Sequence, residues 1–382
     1  CYIPVRNKLK MNIALLSTGF LGKKEATAIT LMDFSEELIK QGNKVMIISE
    51  KRKELLRYEQ IGGVQLYRIG FPSSNWLLKV YNRILAHVLA LKKMEKRNGK
   101  TEVIHNFSAA PILASRIILA KLTNIQAKTI QTLKSYSREK TGLGFYKILN
   151  YVDMVTVPTK VYADKLIAEG VRKEKIKVVH SHINVHKFYP KNRNELKRKY
   201  NLPDKKVVLY YGSMWKNKGT EILIKTIPLL IKNNPYILFI FIPRNWPYAK
   251  RYEPVLNQYP QNVQLITTEV DIPEYVALAD IVVLPYITMD GTEGNPSCLL
   301  EAMASKTPVA TTCLPELKEI VGESVLMADP GDIAALVEKV DFALKSYPSF
   351  MIEEAFAISQ NFAIEKISAQ FIDIYTRLLK RK

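Results

Sequence analysis

Residues 293–304 read EGNPSCLLEAMA, and they hold side chains that could do chemistry at close spacing. Glu293 and Glu301 bracket seven residues. Between them, Asn295 is a favoured N-cap type and Pro296 suits the first helical position, so a helix is expected to start near Pro296. Glu293 then lies in the loop before it and Glu301 on its second turn. The free N–H groups and positive dipole end of such a helix form an anion site that fits a diphosphate. Glu301 sits inside an apolar run, CLLEAMA, where a carboxylate is costly unless hydrogen-bonded. A vicinal diol, such as a ribose, would satisfy both of its oxygens. The plainer alternative is a solvated glutamate on an amphipathic helix.

A second station is YYGSMWKNKG, residues 210–219, which reads as a strand, a glycine turn and two lysines. Gly212 lets a ligand approach the backbone. Lys216 and Lys218 can reach phosphates as point charges, unless they only solvate a loop. In EVIHNFSAAP, residues 102–111, His105 ends a strand, where it is open to a structural or a chemical role. No Asp-x-Asp is present to bridge a metal, and the nearest string is Glu269-Val270-Asp271. Lysines and the helix end would then neutralise a leaving diphosphate in place of a metal. No metal site and no resident cofactor are expected. No Ser/His/Asp order, zinc spacing or GxxxxGK[ST] occurs.

The elements that must position these residues are legible along the chain. NIALLST (12–18) reads as a strand, with Gly19 and Gly22 in the loop after it. Helical spacing over 27–41 ends at Gly42, and KVMIIS follows as a second strand. VQLYRIG (64–70), VDMVTVPT (152–159) and IKVVHSHI (176–183) read as further strands. Residues 76–93 have one helix face made by Leu77, Val80, Tyr81, Ile84, Leu85 and Val88, with Lys79, Arg83, Lys92 and Lys93 elsewhere. That single helix either faces the core or lies on a membrane surface. The segment 186–206 is basic and proline-punctuated, which marks a domain junction. After it, KVVLYYGS, ILFIFIP (237–243), VQLITT (263–268), IVVLPY (281–286) and PVATT (308–312) open a second series of strands. Strands alternating with helices mean parallel sheets covered on both faces, so the fold class is α/β with two doubly wound Rossmann-like domains. Ligands are expected at the carboxyl ends of the strands, in the cleft between the domains.

Length and composition agree. The 382 residues suit two domains, and 47% hydrophobic with 24% charged residues excludes a disordered chain. Cys1, Cys298 and Cys313 show no metal spacing and are odd in number, which fits a reducing, cytoplasmic setting. The net charge of +20 is uneven. Residues 1–188 hold 33 Lys+Arg and 14 Asp+Glu, whereas 189–382 hold 23 and 22. The first half is thus expected to meet something anionic, such as a membrane surface on its inner, cytoplasmic face or a phosphorylated acceptor. It lacks the interleaved aromatic–basic motif of a nucleic-acid binder. No apolar run is long enough to span a bilayer. The basic residues 1–10 are read as a tail, with Met11 as the expected start just before the buried strand at 12–18.

The string from Glu293 to Glu301 resembles the E-x7-E signature of the retaining family-4 glycosyltransferases, which have the GT-B fold. The resemblance runs from Met11 onward and is most specific in residues 206–330. It implies an acceptor-binding domain at 11–188, a nucleotide-sugar-binding domain at 189–360, and a last helix, 361–382, that crosses back to the first domain. It implies that Glu301 holds the ribose and Glu293 the sugar of a UDP- or GDP-linked donor. Backbone N–H groups of the Gly294–Asn295–Pro296–Ser297 turn would face the donor. Lys218, helped by Lys216 and Ser213 beside Gly212, would stabilise the leaving diphosphate. Ser213 stands where the family usually carries an arginine. His105 matches the first histidine of a His-x-His, with Phe107 at the second position. The acceptor, a lipid-linked or other glycan, would dock near residues 19–25, including Gly19 and Gly22, and near 105–110. The implied reaction moves a hexose from the nucleotide sugar to that acceptor. A GT-B epimerase or phosphorylase and a nucleic-acid-binding protein are the alternatives.

Overall fold

The structure is a computed structural model and describes residues 10–17, 26–51, 55–71, 75–108, 110–123, 125–137, 144–244 and 246–381. Two compact units are present: Cys1–His180 with Ile364–Lys382, and Ser181–Ala363. The boundaries expected at 188 and 360 move to 180 and 363 for a physical reason. Ile183 bridges Ala363 in parallel and its N–H donates to the Phe362 carbonyl at 2.9 Å. Ile183 and Phe362 are both buried in the second unit's core.

The first unit is built on an eight-stranded sheet. Its strands are β1 Asn12–Ser17, β2 Lys44–Glu50, β3 Tyr58–Ile61, β4 Val64–Ile69, β5 Val103–Phe107, β6 Lys128–Thr132, β7 Met154–Val157 and β8 Ile176–Val178. Their order is β3-β4-β2-β1-β5-β6-β7-β8, parallel except for the β3–β4 pair. Ile13, Ala14, Leu15 and Leu16 of β1 are all fully buried. Both faces of the sheet are covered, which is why β1 reads as a continuous apolar run rather than an alternating one. The helix Ala26–Lys40 stops at Gly42, whose φ of +90° suits glycine at a helix end. The helix Ile364–Lys380 packs Phe371, Ile374 and Tyr375 into the same core as Leu31, Phe34 and Leu38. This is the crossing back that the resemblance implied.

The single helix expected over 76–93 is two helices, Trp76–Arg83 and Leu85–Asn98. They break at Ile84, where φ is −120° and ψ −73°. The core-facing reading holds for the second helix and not for the first. Val88, Leu91 and Met94 of the second helix enter the core. Trp76, Leu77, Leu78 and Val80 of the first are exposed, at 69, 58, 41 and 47%. Only Asn82 of the first helix is buried, tied to the backbone of Phe71 by its amide.

The second unit has a six-stranded parallel sheet. Its strands are β9 Lys206–Gly212, β10 Ile237–Pro243, β11 Val263–Leu265, β12 Ile281–Leu284, β13 Val309–Thr312 and β14 Leu326–Ala328, in the order β11-β10-β9-β12-β13-β14. Sequence order reverses between β9 and β12. The loops leaving these two strands therefore splay apart and open a crevice at their carboxyl ends.

Candidate functional site

The loops at this switch point carry both sequence stations. From β9 the chain makes a turn at 213–219. From β12 it runs through 285–296 into the helix Ser297–Ala304. That helix begins one residue later than expected. Pro296 takes the N-cap position with extended backbone, φ −66° and ψ 128°, and no side chain caps the first turn. The orphan N–H groups of that turn stay available to an anion. Asn295 is fully buried, and neither its amide nitrogen nor its amide oxygen has a hydrogen-bond partner. Leaving such a group unsatisfied costs about 1–3 kcal/mol, which a polar ligand would recover. Gly294 and Pro296 are buried, and Ser297 is half-buried.

Glu301 is half-buried on the second helical turn. The Tyr211 hydroxyl donates to its Oε2 at 2.7 Å and lies 3.0 Å from the Cys298 carbonyl oxygen. Burial, and then the neighbouring Glu301, push the Tyr211 phenol well above its ordinary pKa, so it stays a donor. The Cys298 thiol faces the Tyr211 carbonyl at 3.7 Å and is pushed up to about 12, by burial first and Glu301 second. It is a packed thiol rather than a nucleophile. Glu301, Arg244, Lys218 and Glu293 all bear on the charge state of this thiol, so the four belong to one electrostatic neighbourhood.

Gly212 has φ +114°, and a Cβ there would lie 3.6 Å from the Cys298 sulfur. The strand end and the helix start thus touch through a glycine. Lys218 and Gly219 are fixed harder still. Gly219 has φ +73°, and a Cβ would meet the Pro285 carbonyl oxygen at 1.6 Å. The Asn217 carbonyl accepts from the Ile287 N–H at 2.9 Å, and its side-chain amide donates to the Asp290 carbonyl at 3.1 Å. These ties hold the 216–218 turn against the β12 loop. The half-buried Lys218 places its ammonium 4.8 Å from the Tyr286 ring centroid, and burial lowers its pKa. Ser213 is half-buried, its carbonyl held by the Tyr210 hydroxyl at 2.9 Å. Lys216 is exposed.

Most of the expected donor residues therefore converge in the second unit: Gly212, Ser213, Lys218, Glu293, Gly294, Asn295, Pro296, Ser297 and Glu301. Lys216 stands in the same turn but outside the buried set. Tyr211, Cys298 and Arg244 were missed. A tyrosine hydroxyl inside an apolar strand needs a buried acceptor, and that requirement is the signal that could have found Tyr211.

The first unit is different. His105 was expected near the chemistry, and the structure corrects this. It is fully buried, with Nδ1 2.6 Å from the Tyr375 hydroxyl and Nε2 2.6 Å from Thr132 Oγ1. Phe107 stacks on its ring at 4.0 Å between centroids. Burial lowers its pKa to about 3, so the ring is neutral. Both nitrogens are spent inside the protein, and none is left for a substrate. Gly19 and Gly22 lie outside the described residues.

Comparison with known proteins agrees with this geometry. A family model described as "Glycosyltransferase Family 4" matches residues 27–187, and one described as "Glycosyl transferases group 1" matches 205–346. YtcC of Bacillus subtilis is 26% identical over 242 residues, and that alignment spans 57% of each chain. The phosphatidylinositol N-acetylglucosaminyltransferase GPI3 subunit of Saccharomyces cerevisiae is 19% identical over 96% of this chain and 83% of its own. Among solved structures, Anabaena HepE in complex with UDP and glucose superposes with a TM-score of 0.77 at 16% identity, covering 96% of this chain and 99% of that one. The fold and the family models define a two-domain GT-B glycosyltransferase. By its two family models, it is of the family 4 and group 1 type.

Proposed function

We propose that the protein is a retaining hexosyltransferase that takes a UDP- or GDP-linked hexose and passes it to a lipid-linked or other glycan acceptor. One observation carries this reading: Glu293, Glu301 and Lys218 converge on the uncapped start of the Ser297–Ala304 helix, beside a buried Asn295 with no partner. In the proposed complex the diphosphate lies at the helix start and on Lys218. Glu301 holds the ribose diol and Glu293 the sugar. The C1–O bond to the diphosphate breaks as a C1–O bond to an acceptor hydroxyl forms, and the hydroxyl's proton passes to the leaving diphosphate. Negative charge grows on the leaving diphosphate, where the helix N–H groups and Lys218 already stand. No metal and no resident cofactor enters the proposed step. HepE, whose solved complex holds UDP and glucose, lends support at the level of the donor.

For the acceptor we favour a lipid-borne one at an anionic membrane surface on the cytoplasmic side. The exposed Trp76, Leu77, Leu78 and Val80, with Lys79 and Arg83 on the same helix, support attachment at a surface. Among the described residues no helix is long and apolar enough to cross a membrane. The test is to incubate the protein with UDP- and GDP-hexoses and lipid acceptors and to assign the product's anomeric configuration by NMR. Retention at C1 is expected. An inverted product overturns the retaining mechanism, and release of free sugar or sugar phosphate alone overturns the transferase reading.

A further inference from the structure

A donor diphosphate brings two anionic groups, and the site as assembled offers them a helix start and one lysine. A second cation stands one strand away. The β9–β10 register pairs Gly212 with Pro243, so the residues that follow, Ser213 and Arg244, leave the sheet side by side. The Arg244 N–H donates to the Gly212 carbonyl at 2.9 Å, which fixes the start of its loop to the glycine of the site. Its side chain is exposed, and among the described residues no carboxylate pairs with it. The guanidinium nevertheless acts on the site: it favours the Cys298 thiolate and disfavours the Lys218 ammonium. Two cations on loops that leave neighbouring strands, with no carboxylate bonded to either among the described residues, are relieved by a dianion. Lys216 is exposed in the turn that carries Lys218. Ser213, level with Arg244, brings no charge.

We infer that Arg244 is the second diphosphate-binding cation of the donor site. A guanidinium can bind two phosphate oxygens at once, which a lysine cannot match. In this arrangement Arg244 closes over the diphosphate from the β10 side while Lys218 approaches from the β12 side. The inference rests on the diphosphate reading above and adds the residue that completes it.

The test titrates UDP and GDP, and uridine and guanosine, into the wild-type protein, Arg244→Ala and Lys216→Ala. Arg244→Ala should weaken the diphosphate about tenfold or more, as expected for a lost charge-assisted bond, and leave the nucleoside unchanged. Lys216→Ala should weaken the diphosphate less than Arg244→Ala does, because a lysine lacks the guanidinium's two-oxygen fork. Wild-type binding that Arg244→Ala leaves unchanged overturns this inference alone, as does an equal loss of diphosphate and nucleoside. A wild-type protein that binds neither UDP nor GDP overturns the diphosphate reading and this inference together.

Discussion

Glu301 gives the sharpest test of the donor site, because its removal should not disturb the fold. The structure supplies the reason. If Glu301 becomes alanine, the buried Tyr211 hydroxyl loses an acceptor at 2.7 Å but retains the Cys298 carbonyl at 3.0 Å. The hydroxyl is therefore not orphaned, and the stability cost should stay below about 1 kcal/mol rather than the 1–3 kcal/mol of an unsatisfied buried group. The ribose contact has no such substitute. A carboxylate accepting from the diol contributes roughly 1.5–3 kcal/mol, which is about 10- to 150-fold in affinity. The assay is a two-by-two calorimetric titration of wild type and Glu301→Ala with a nucleoside diphosphate and its 2′,3′-dideoxy analogue. Wild type should discriminate between the two ligands by that factor. Glu301→Ala should bind both alike, at the weak level, while its urea midpoint barely moves. If the variant still prefers the diol-bearing ligand as strongly as wild type does, Glu301 does not hold the ribose, and the reasoning from its apolar surroundings is refuted.

Gly219→Ala should destabilise the second unit by about 3 kcal/mol or more, since a Cβ meets the Pro285 oxygen at 1.6 Å and φ is positive; a urea midpoint equal to wild type would contradict this. Turnover should survive a chelator, and full loss of activity restored by magnesium or manganese would show that a metal does the work assigned to Lys218. His105 and His87 are both held neutral by burial, with folded pKa values below the unfolded one. The unfolded chain then binds the extra protons, so stability is complete above about pH 6.5 and falls by about 1.4 kcal/mol per pH unit for each ring on acidification. Replacing His105 by Gln should reduce the slope of stability between pH 4.5 and about 6 by one proton, and an unchanged slope would place the titration elsewhere. Sedimentation with anionic liposomes should rise with acidic lipid, fall with salt, and weaken when Lys79, Arg83, Lys92 and Lys93 are neutralised together; a protein that stays in the supernatant at low salt has no such surface.

The second unit was the more legible half because its central strands β9, β10 and β12 are apolar runs and the turn after β9 carries glycine. ILFIFIP is buried at all seven positions, and a run of that kind has one reading. Elements without such a pattern escaped. β6 reads KTIQT, whose polar side chains are buried by partners distant in sequence, such as Gln131 with Asn106 and Thr132 with Thr156. β3 is an edge strand with alternating exposure, and β14 has three residues. The break at Ile84 has no proline or glycine to announce it. For the candidate site, residue types and spacing singled out Glu301 in its apolar run, Glu293 with seven residues between the two, and Lys218 after a glycine turn. Tyr211 escaped, because its place is set by a hydroxyl's partner, and the role proposed for Arg244 rests on strand register. His105 went wrong for the same reason: the residue that claims its Nδ1, Tyr375, lies at the far end of the chain.

That last pairing bears on how the protein is made. The helix Ile364–Lys380 supplies one flank of the first unit's core, yet it is synthesised after the whole of Ser181–Ala363. At about 5–20 residues per second, the roughly 180 intervening residues take about 10–40 s to emerge from a ribosome. Through that interval Leu31, Phe34 and Leu38 have no covering helix, and His105 has no hydroxyl for its Nδ1. The second unit, continuous in sequence, can close first. The unit that begins the chain must wait for its last turns, holding an apolar groove open to chaperones or to a second nascent copy in the meantime.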